Sequence, residues 1–294
     1  MEIESRPIGG LPFGVRIRGV RCARLKDEQV RSFLRAALGE HGLLVLEEVE
    51  LGHTAQKLVG EVFGSLKNYR ADGPQEWARR EDHIAEVVTE PSNCTIVEVA
   101  GRRLAGWMPW HFDQPYDERP SPARLLRCGR TVGSGGMTGF IDGAELYRRI
   151  NPSLRQAIEP CLVDYSSDMS LDRLRFGAPA GFRFEARRRA AESARPRAQP
   201  QRASHPAVRV VPEVGRILHL SPWMATGIRG RSDEGALLEA VADDIVRVSE
   251  SEAYFHDWKL SDLLVWDNLR MLHASSGFDP AETRIMYRTT IKGH

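Results

Sequence analysis

His111 and Asp113 stand two positions apart in WHFDQPY. In an extended strand, residues i and i+2 share one face, so an imidazole and a carboxylate would converge from a single backbone segment. Two such donors and one distant histidine make a 2-His-1-carboxylate set. That set holds a non-haem Fe(II) on one face and leaves the remaining positions open. His273, in DLLVWDNLRMLHASS just past an apolar run, is the candidate third ligand. The HxD pair alone is a weak signal, and a histidine packed in the core is the plainer reading. Two other classes stay open here. The same ligands could hold Zn(II) for hydrolysis, although zinc favours tetrahedral sites, or they could belong to a non-catalytic binding protein.

Two arginines raise the chemical interest. Arg284 and Arg288 lie in TRIMYRTTIKG, where alternation puts them with Met286 on one face of a strand. They would stand roughly 13 Å apart along it. Cations on an otherwise apolar strand need partners if they are buried. Anionic ligands are the obvious candidates, because a guanidinium matches a carboxylate bidentately.

The elements that must carry these residues can be read from periodicity. Residues 27–40 form an amphipathic helix, with Asp27 as its cap and Gly42 after its end. Residues 43–46 read as a buried strand and 53–63 as a second helix. From residue 94 onward short β-rich runs follow, interrupted by helices at 143–150, capped by Asp142, and at 232–249. The expected fold is mainly β with flanking α: a double-stranded β-helix, or jelly roll, with helices packed outside. One domain is expected over residues 1–294. Residues 183–204, RFEARRRAAESARPRAQPQRAS, are basic and contain proline. They are expected to form a solvated loop, and a lid over the active site is the sharper reading.

Bulk properties narrow the class. The 294 residues carry a formal net charge of +1 and are 41% apolar, as in ordinary soluble domains. No global field points to nucleic acid or to a membrane surface. With 36 arginines and five lysines, a single arginine match is a cheap coincidence. The four cysteines, at 22, 94, 128 and 161, form no CxxC pair, so free thiols in a reducing compartment are expected. MEIESRPIGG has no apolar stretch of the signal-peptide kind, and no apolar run is long enough to span a bilayer. The cytoplasm is the expected compartment.

Taken in order, WHFDQPYDERP, GSGGMTGFIDGAELYRRINP, HPAVRVVPEVGRILHLSPWMATGI, LLVWDNLRMLHASSGF and TRIMYRTTIKG resemble the taurine dioxygenase / 2,4-dichlorophenoxyacetate dioxygenase (TauD/TfdA) family over residues 107–293. EHGLLVLEEV and the first helix fit the family's opening segment. The resemblance implies an oxidoreductase, an Fe(II)- and 2-oxoglutarate-dependent dioxygenase that also consumes O2. It makes His111, Asp113 and His273 the iron ligands. Thr138 and Arg284 would hold 2-oxoglutarate, and Arg288 would grip the anion of a small substrate. Because Asp113 is present, the resemblance implies hydroxylation, desaturation or ring formation and not halogenation. The chain departs from the taurine enzyme at two substrate positions. Tyr69 aligns nearest to a histidine of that enzyme, and GWMPW lacks its asparagine. Taurine itself is therefore not the expected substrate, and Trp107, Trp110, Tyr116, Trp223 and Met224 are candidates for a larger pocket. A small anionic molecule is the expected partner, with no nucleic acid and no membrane, and a homo-oligomer is compatible with the resemblance.

Overall fold

The structure is a computed structural model that describes residues 3–50, 52–69, 78–188 and 200–293. Helix α1 (Glu28–His41) begins where Asp27 accepts a hydrogen bond from the Gln29 amide at 2.9 Å. It ends at Gly42, whose left-handed φ of 71° lets its amide bond back to Leu38. Val30, Leu34, Ala37 and Leu38 form its buried stripe. Burying a leucine such as Leu34 stabilises the fold by about 1.5–3 kcal/mol, so Leu34→Asp would unseat the helix. Helix α2 (His53–Phe63) packs beside it.

These helices cover one face of an eight-stranded sheet. In spatial order its strands are β1 (Glu4–Pro7), β2 (Val15–Arg18), β3 (Leu43–Leu46), β17 (Leu263–Asp267), β8 (Ala123–Arg130), β19 (Arg284–Thr290), β5 (Ile84–Thr89) and β4 (Ala78–Glu81). Only the β2–β3 pair in this sheet is parallel. Leu43–Leu46 reads as a continuous apolar run because both of its faces are covered. Leu44 and Leu46 meet the helices, whereas Leu43 and Val45 point into the space between sheets. Leu263 and Val265 against Leu264 and Trp266 divide in the same way.

The second sheet has six strands in the order β11 (Arg183–Arg188), β6 (Cys94–Val99), β7 (Arg102–His111), β18 (Met271–Phe278), β9 (Thr138–Asp142) and β16 (Tyr254–His256). Its Phe140 and Met271 share the inter-sheet core with Trp266 and Met286 of the first sheet. Its outer face carries Ile141, Leu272 and Ala274. That face packs against α3 (Gly143–Arg149), α4 (Pro152–Ile158), α5 (Glu234–Glu252) and a small sheet of β10 (Leu162–Ser166), β12 (Arg202–Pro206) and β15 (Ala225–Ile228). A hairpin of β13 (Val208–Val211) and β14 (Gly215–Leu218) completes the nineteen strands among the described residues. The expected jelly roll with outer helices is the observed architecture, and Asp142 caps α3 as expected.

Two local expectations change. The long helix expected at 232–249 runs from Glu234 to Glu252. The expected loop at 183–204 begins and ends in strands. Arg183–Arg188 pairs with β6, and Arg202–Pro206 pairs with β10. Composition misled here because an edge strand can be made almost wholly of charged residues, which also blunts the edge. Arg183 pairs with Glu98 of the adjacent β6 at 2.8 Å, and Arg103 of β7 reaches Glu185 at 2.7 Å across the intervening β6. Residues 189–199, where the lid expectation now rests, lie outside the described residues.

Candidate active site

The inner faces of the two sheets bring the candidate residues together from opposite sides. His111 ends β7, and His273 sits in β18 directly across from it in register. Their rings lie 4.1 Å apart, centroid to centroid. The His111 Nδ1 is 2.8 Å from the carbonyl of Pro109, which assigns the ring proton there and leaves Nε2 to face Asp113. Burial holds both imidazoles below the usual histidine range, His273 well below it, so both are neutral near pH 7.

Asp113 is not on the strand. β7 stops at His111, and the chain bends before Asp113. The i, i+2 expectation is corrected on this point: Asp113 comes close to His111 and His273 through a bend, not along a shared strand face. The bend is held by Asn268, whose Oδ1 accepts the Asp113 amide at 2.8 Å. Its Nδ2 donates to the carbonyls of Asp113 and Ser121, at 3.0 and 2.9 Å. Asn268 is completely buried, so this side-chain amide replaces the ladder bonds that the bend forfeits.

The Asp113 carboxylate is divided between two duties. Oδ2 lies 3.2 Å from Arg124 Nε and 3.9 Å from Arg288 Nη1. Oδ1 lies 3.8 Å from His111 Nε2. Burial alone would raise its pKa, but Arg124, then His273 and Arg288, outweigh it and hold the group well below the ordinary carboxylate range. One carboxylate and two neutral imidazoles thus converge, their candidate ligand atoms all within 4.8 Å of one another. Among the described residues, the buried His273 Nδ1 has no hydrogen-bond partner. The set contains no thiolate and fits a divalent ion of the Fe(II) type.

Thr138 starts β9 and pairs with Ser275 on the side of β18 away from β7. The glycine turn before it is steric in origin. Gly135 has a φ of +74°, and a Cβ there would sit 2.5 Å from the Gly277 carbonyl. Across the gap, Arg284 of β19 reaches Thr138 Oγ1 with Nη2 at 3.4 Å. Burial pushes its pKa down to about 10, so it remains a cation at neutral pH. Among the described residues no carboxylate lies within ion-pair distance of Arg284. A buried cation without an anion is costly, and a carboxylate ligand removes that cost. The side chains fit 2-oxoglutarate on this ground.

His111, Asp113, His273, Thr138 and Arg284 line one cavity of about 370 Å³, largely apolar, with Trp107, Trp223 and Met286 in its walls. Trp107 also packs on Phe182, at 5.2 Å between centroids. A smaller, polar pocket of about 120 Å³ opens on the far side of Asp113, between Lys67, Tyr69, Tyr116, Arg124 and Arg288. Tyr69 is buried, and its hydroxyl lies 2.5 Å from Thr290 Oγ1. Burial, reinforced by Asp113 and Asp117, pushes the Tyr116 pKa up to about 12. Arg288 stays firmly charged: burial disfavours the cation, but Tyr69 and Asp113 more than offset it. Trp110 and Met224, expected in the pocket, instead belong to the core outside the second sheet.

Sequence reasoning missed Arg124, Asn268 and Trp258. Arg124 is a charge inside the apolar run ARLLRC, and Asn268 sits in WDN, so each carried a signal. Trp258, which donates to Thr138 Oγ1 at 3.0 Å, carried none.

A family model described as "Taurine catabolism dioxygenase TauD, TfdA family" matches residues 4–290. Pentalenolactone F synthase of Streptomyces arenae is 28% identical, covering 97% of this chain and 93% of its own. The (S)-phenoxypropionate/alpha-ketoglutarate-dioxygenase of Sphingobium herbicidovorans is 26% identical, with 96% and 92% covered. A solved taurine dioxygenase from Burkholderia xenovorans superposes with a TM-score of 0.72 at 22% identity, over 99% of this chain and 90% of that one.

Proposed function

The chain belongs to the taurine catabolism dioxygenase TauD, TfdA family, and on that premise we propose that it hydroxylates an unactivated C–H bond of a small organic anion. It is an oxidoreductase that uses Fe(II), 2-oxoglutarate and O2. When bound, these groups supply the oxidising power: one oxygen atom enters the substrate, the other enters succinate, and CO2 leaves.

In this reading His111, Asp113 and His273 hold the iron. Arg124 occupies Asp113 Oδ2 and so leaves Oδ1 turned toward the histidines. Arg284 and Thr138 take the distal carboxylate of 2-oxoglutarate. The substrate's anionic group sits in the polar pocket against Arg288, with Tyr69 and Tyr116 beside it. Its apolar body lies along Trp107 in the larger cavity, whose apolar walls exclude water from the reacting carbon. The relative named for phenoxypropionate supports an anion with an apolar body.

The observation that carries the reading is the meeting of two incomplete donor sets across the sheets. Three metal-type ligands face a buried arginine that, among the described residues, lacks an anion. The whole chain works as one catalytic domain in this reading. The four free cysteines support a reducing cytoplasm. Among the described residues, no helix is long and apolar enough to cross a membrane. Desaturation or ring closure would use the same bound groups, since outcome depends on angstrom-level placement of the substrate.

The test is a screen of carboxylates, sulfonates and sulfate esters for substrate-stimulated succinate release, with the product identified by mass spectrometry. An oxygen gain of one atom supports hydroxylation, and loss of two hydrogens assigns desaturation or ring closure. If no anion stimulates succinate release but neutral compounds of the same shape do, the anionic substrate class is wrong.

A further inference from the structure

Thr138 does not stand alone behind the co-substrate. Its Oγ1 receives two donors, Trp258 Nε1 at 3.0 Å and Arg284 Nη2 at 3.4 Å. An indole N–H and a guanidinium N–H can only donate, and a threonine hydroxyl has two lone pairs and one proton. Both lone pairs are therefore engaged. What remains is the O–H proton, and among the described residues nothing accepts it. Thr138 is buried and lines the cavity, so that proton is available only to a ligand.

We propose that Trp258 is a positioning residue that locks the Thr138 hydroxyl as a donor aimed at the co-substrate carboxylate. This rests on the reading that Thr138 and Arg284 hold 2-oxoglutarate. Without Trp258, the hydroxyl has an empty lone pair and can rotate to accept as readily as it donates. With it, the position presents a hydrogen-bond donor beside a fixed cation, which selects an anion and rejects a donor group.

The tryptophan is itself held in place. Strand β16 pairs with β9, with His256 opposite Thr138. The chain then turns so that Trp258 comes back under the same threonine. Trp258 packs edge-on against the His256 ring at 4.7 Å and 86°. His256 in turn has Nδ1 at 2.9 Å from the Tyr254 hydroxyl and Nε2 at 3.2 Å from Asp262. The edge strand thus works as a strap that fixes one hydroxyl from behind.

A double-mutant cycle tests the coupling. Binding of 2-oxoglutarate to the Fe(II)-loaded protein is measured by anaerobic calorimetry, so no turnover enters the readout. Trp258→Phe keeps the ring and removes the donor. It should weaken 2-oxoglutarate about three- to tenfold, the effect of one hydrogen bond. In a Thr138→Val background the same substitution should change affinity by less than about twofold, because there is no hydroxyl left to orient. Thr138→Ser should restore the sensitivity to Trp258→Phe.

Equal weakening by Trp258→Phe in both backgrounds would make Trp258 merely structural, and no weakening in the parent would remove its role. If Thr138→Val and Arg284→Ala both leave affinity unchanged, the co-substrate reading itself fails. If they weaken binding while Trp258→Phe does not, only this inference fails. A second readout needs no tryptophan variant. In the 15N-tryptophan-labelled, Zn(II)-loaded protein, the Trp258 indole proton should move upfield in Thr138→Val and shift on addition of 2-oxoglutarate to the parent. A resonance that ignores both changes overturns the proposal even if Trp258→Phe does not fold.

Discussion

Arg124 Nε lies 3.2 Å from Asp113 Oδ2, and that one contact ties the proposed iron ligand to the core of the opposite sheet. Arg124 is 2% exposed and also bonds Gln114 and Thr290 with its Nη atoms. Removing one member of a buried pair leaves the other charge uncompensated, which costs about 3–5 kcal/mol. Arg124→Met should lower stability by that order in urea denaturation of the metal-free protein. A loss below about 1 kcal/mol would mean that Asp113 is adequately held by Asn268 and Arg288 alone.

The metal assignment makes a spectroscopic prediction. Anaerobic addition of Fe(II) and 2-oxoglutarate should produce a weak visible charge-transfer band. His111→Ala, Asp113→Ala and His273→Ala should each abolish it while the protein stays folded by circular dichroism. A band that survives in all three variants would place the metal elsewhere.

The two residues proposed to hold the co-substrate should differ in weight. Arg284→Ala withdraws a buried charge partner, and 2-oxoglutarate affinity should fall by about 3–5 kcal/mol. That is roughly a hundredfold to several thousandfold. Thr138→Val loses one bond to a charged group and should cost about 1.5–3 kcal/mol. Reversal of that order, read by anaerobic titration, would mean that Arg284 serves the fold and Thr138 the ligand.

Asn268 is predicted to act on the site through backbone alone. Asn268→Leu leaves the Asp113 amide and two carbonyls without partners, at about 1–3 kcal/mol for each buried group that water cannot reach. The measurable sign is a joint loss of thermal stability and of retained iron. Unchanged iron content in a destabilised variant would show that the bend at Asp113 does not depend on this clamp.

Stability should fall with acid for a reason outside the proposed site. His219 is buried and stacks on Phe112 at 3.9 Å, and among the described residues neither ring nitrogen has a hydrogen-bond partner. Burial holds its folded pKa well below the unfolded value of about 6.5. Above that value both states are neutral and the group is silent. Below it the unfolded chain takes up a proton that the folded one refuses, so stability drops as pH falls. The slope is at most about 1.4 kcal/mol per pH unit for one group. His111 and His273 act in the same sense when metal is absent. Urea midpoints of chelator-treated protein between pH 7.5 and 5.5 should decline, and His219→Leu should flatten the decline. An identical slope in that variant would assign the effect elsewhere.

Much of the molecule was readable from local pattern. The helix at Glu28–His41 announced itself through its stripe and both caps, and Leu43–Leu46 through an unbroken apolar run. Periodicity also placed Arg284, Met286 and Arg288 together on the face that lines the cavity. These features depend on a few neighbouring residues, so sequence contains them. Residues 183–188 were misread because their strand character comes from pairing with β6, and composition alone points to solvent.

Residue types and local spacing carry the chemical vocabulary: one HxD pair, a distant histidine, two arginines at strand spacing, and the alternation that turns them inward. How these parts are constrained follows from long-range contacts. They set His111 opposite His273, bent the chain at Asp113 onto Asn268, gave one carboxylate oxygen to Arg124, and brought Trp258 beneath Thr138. Each of these contacts joins residues more than ten positions apart. Their partners are chosen by sheet register and by the need to satisfy buried polar groups, and neither is written in any local stretch of chain.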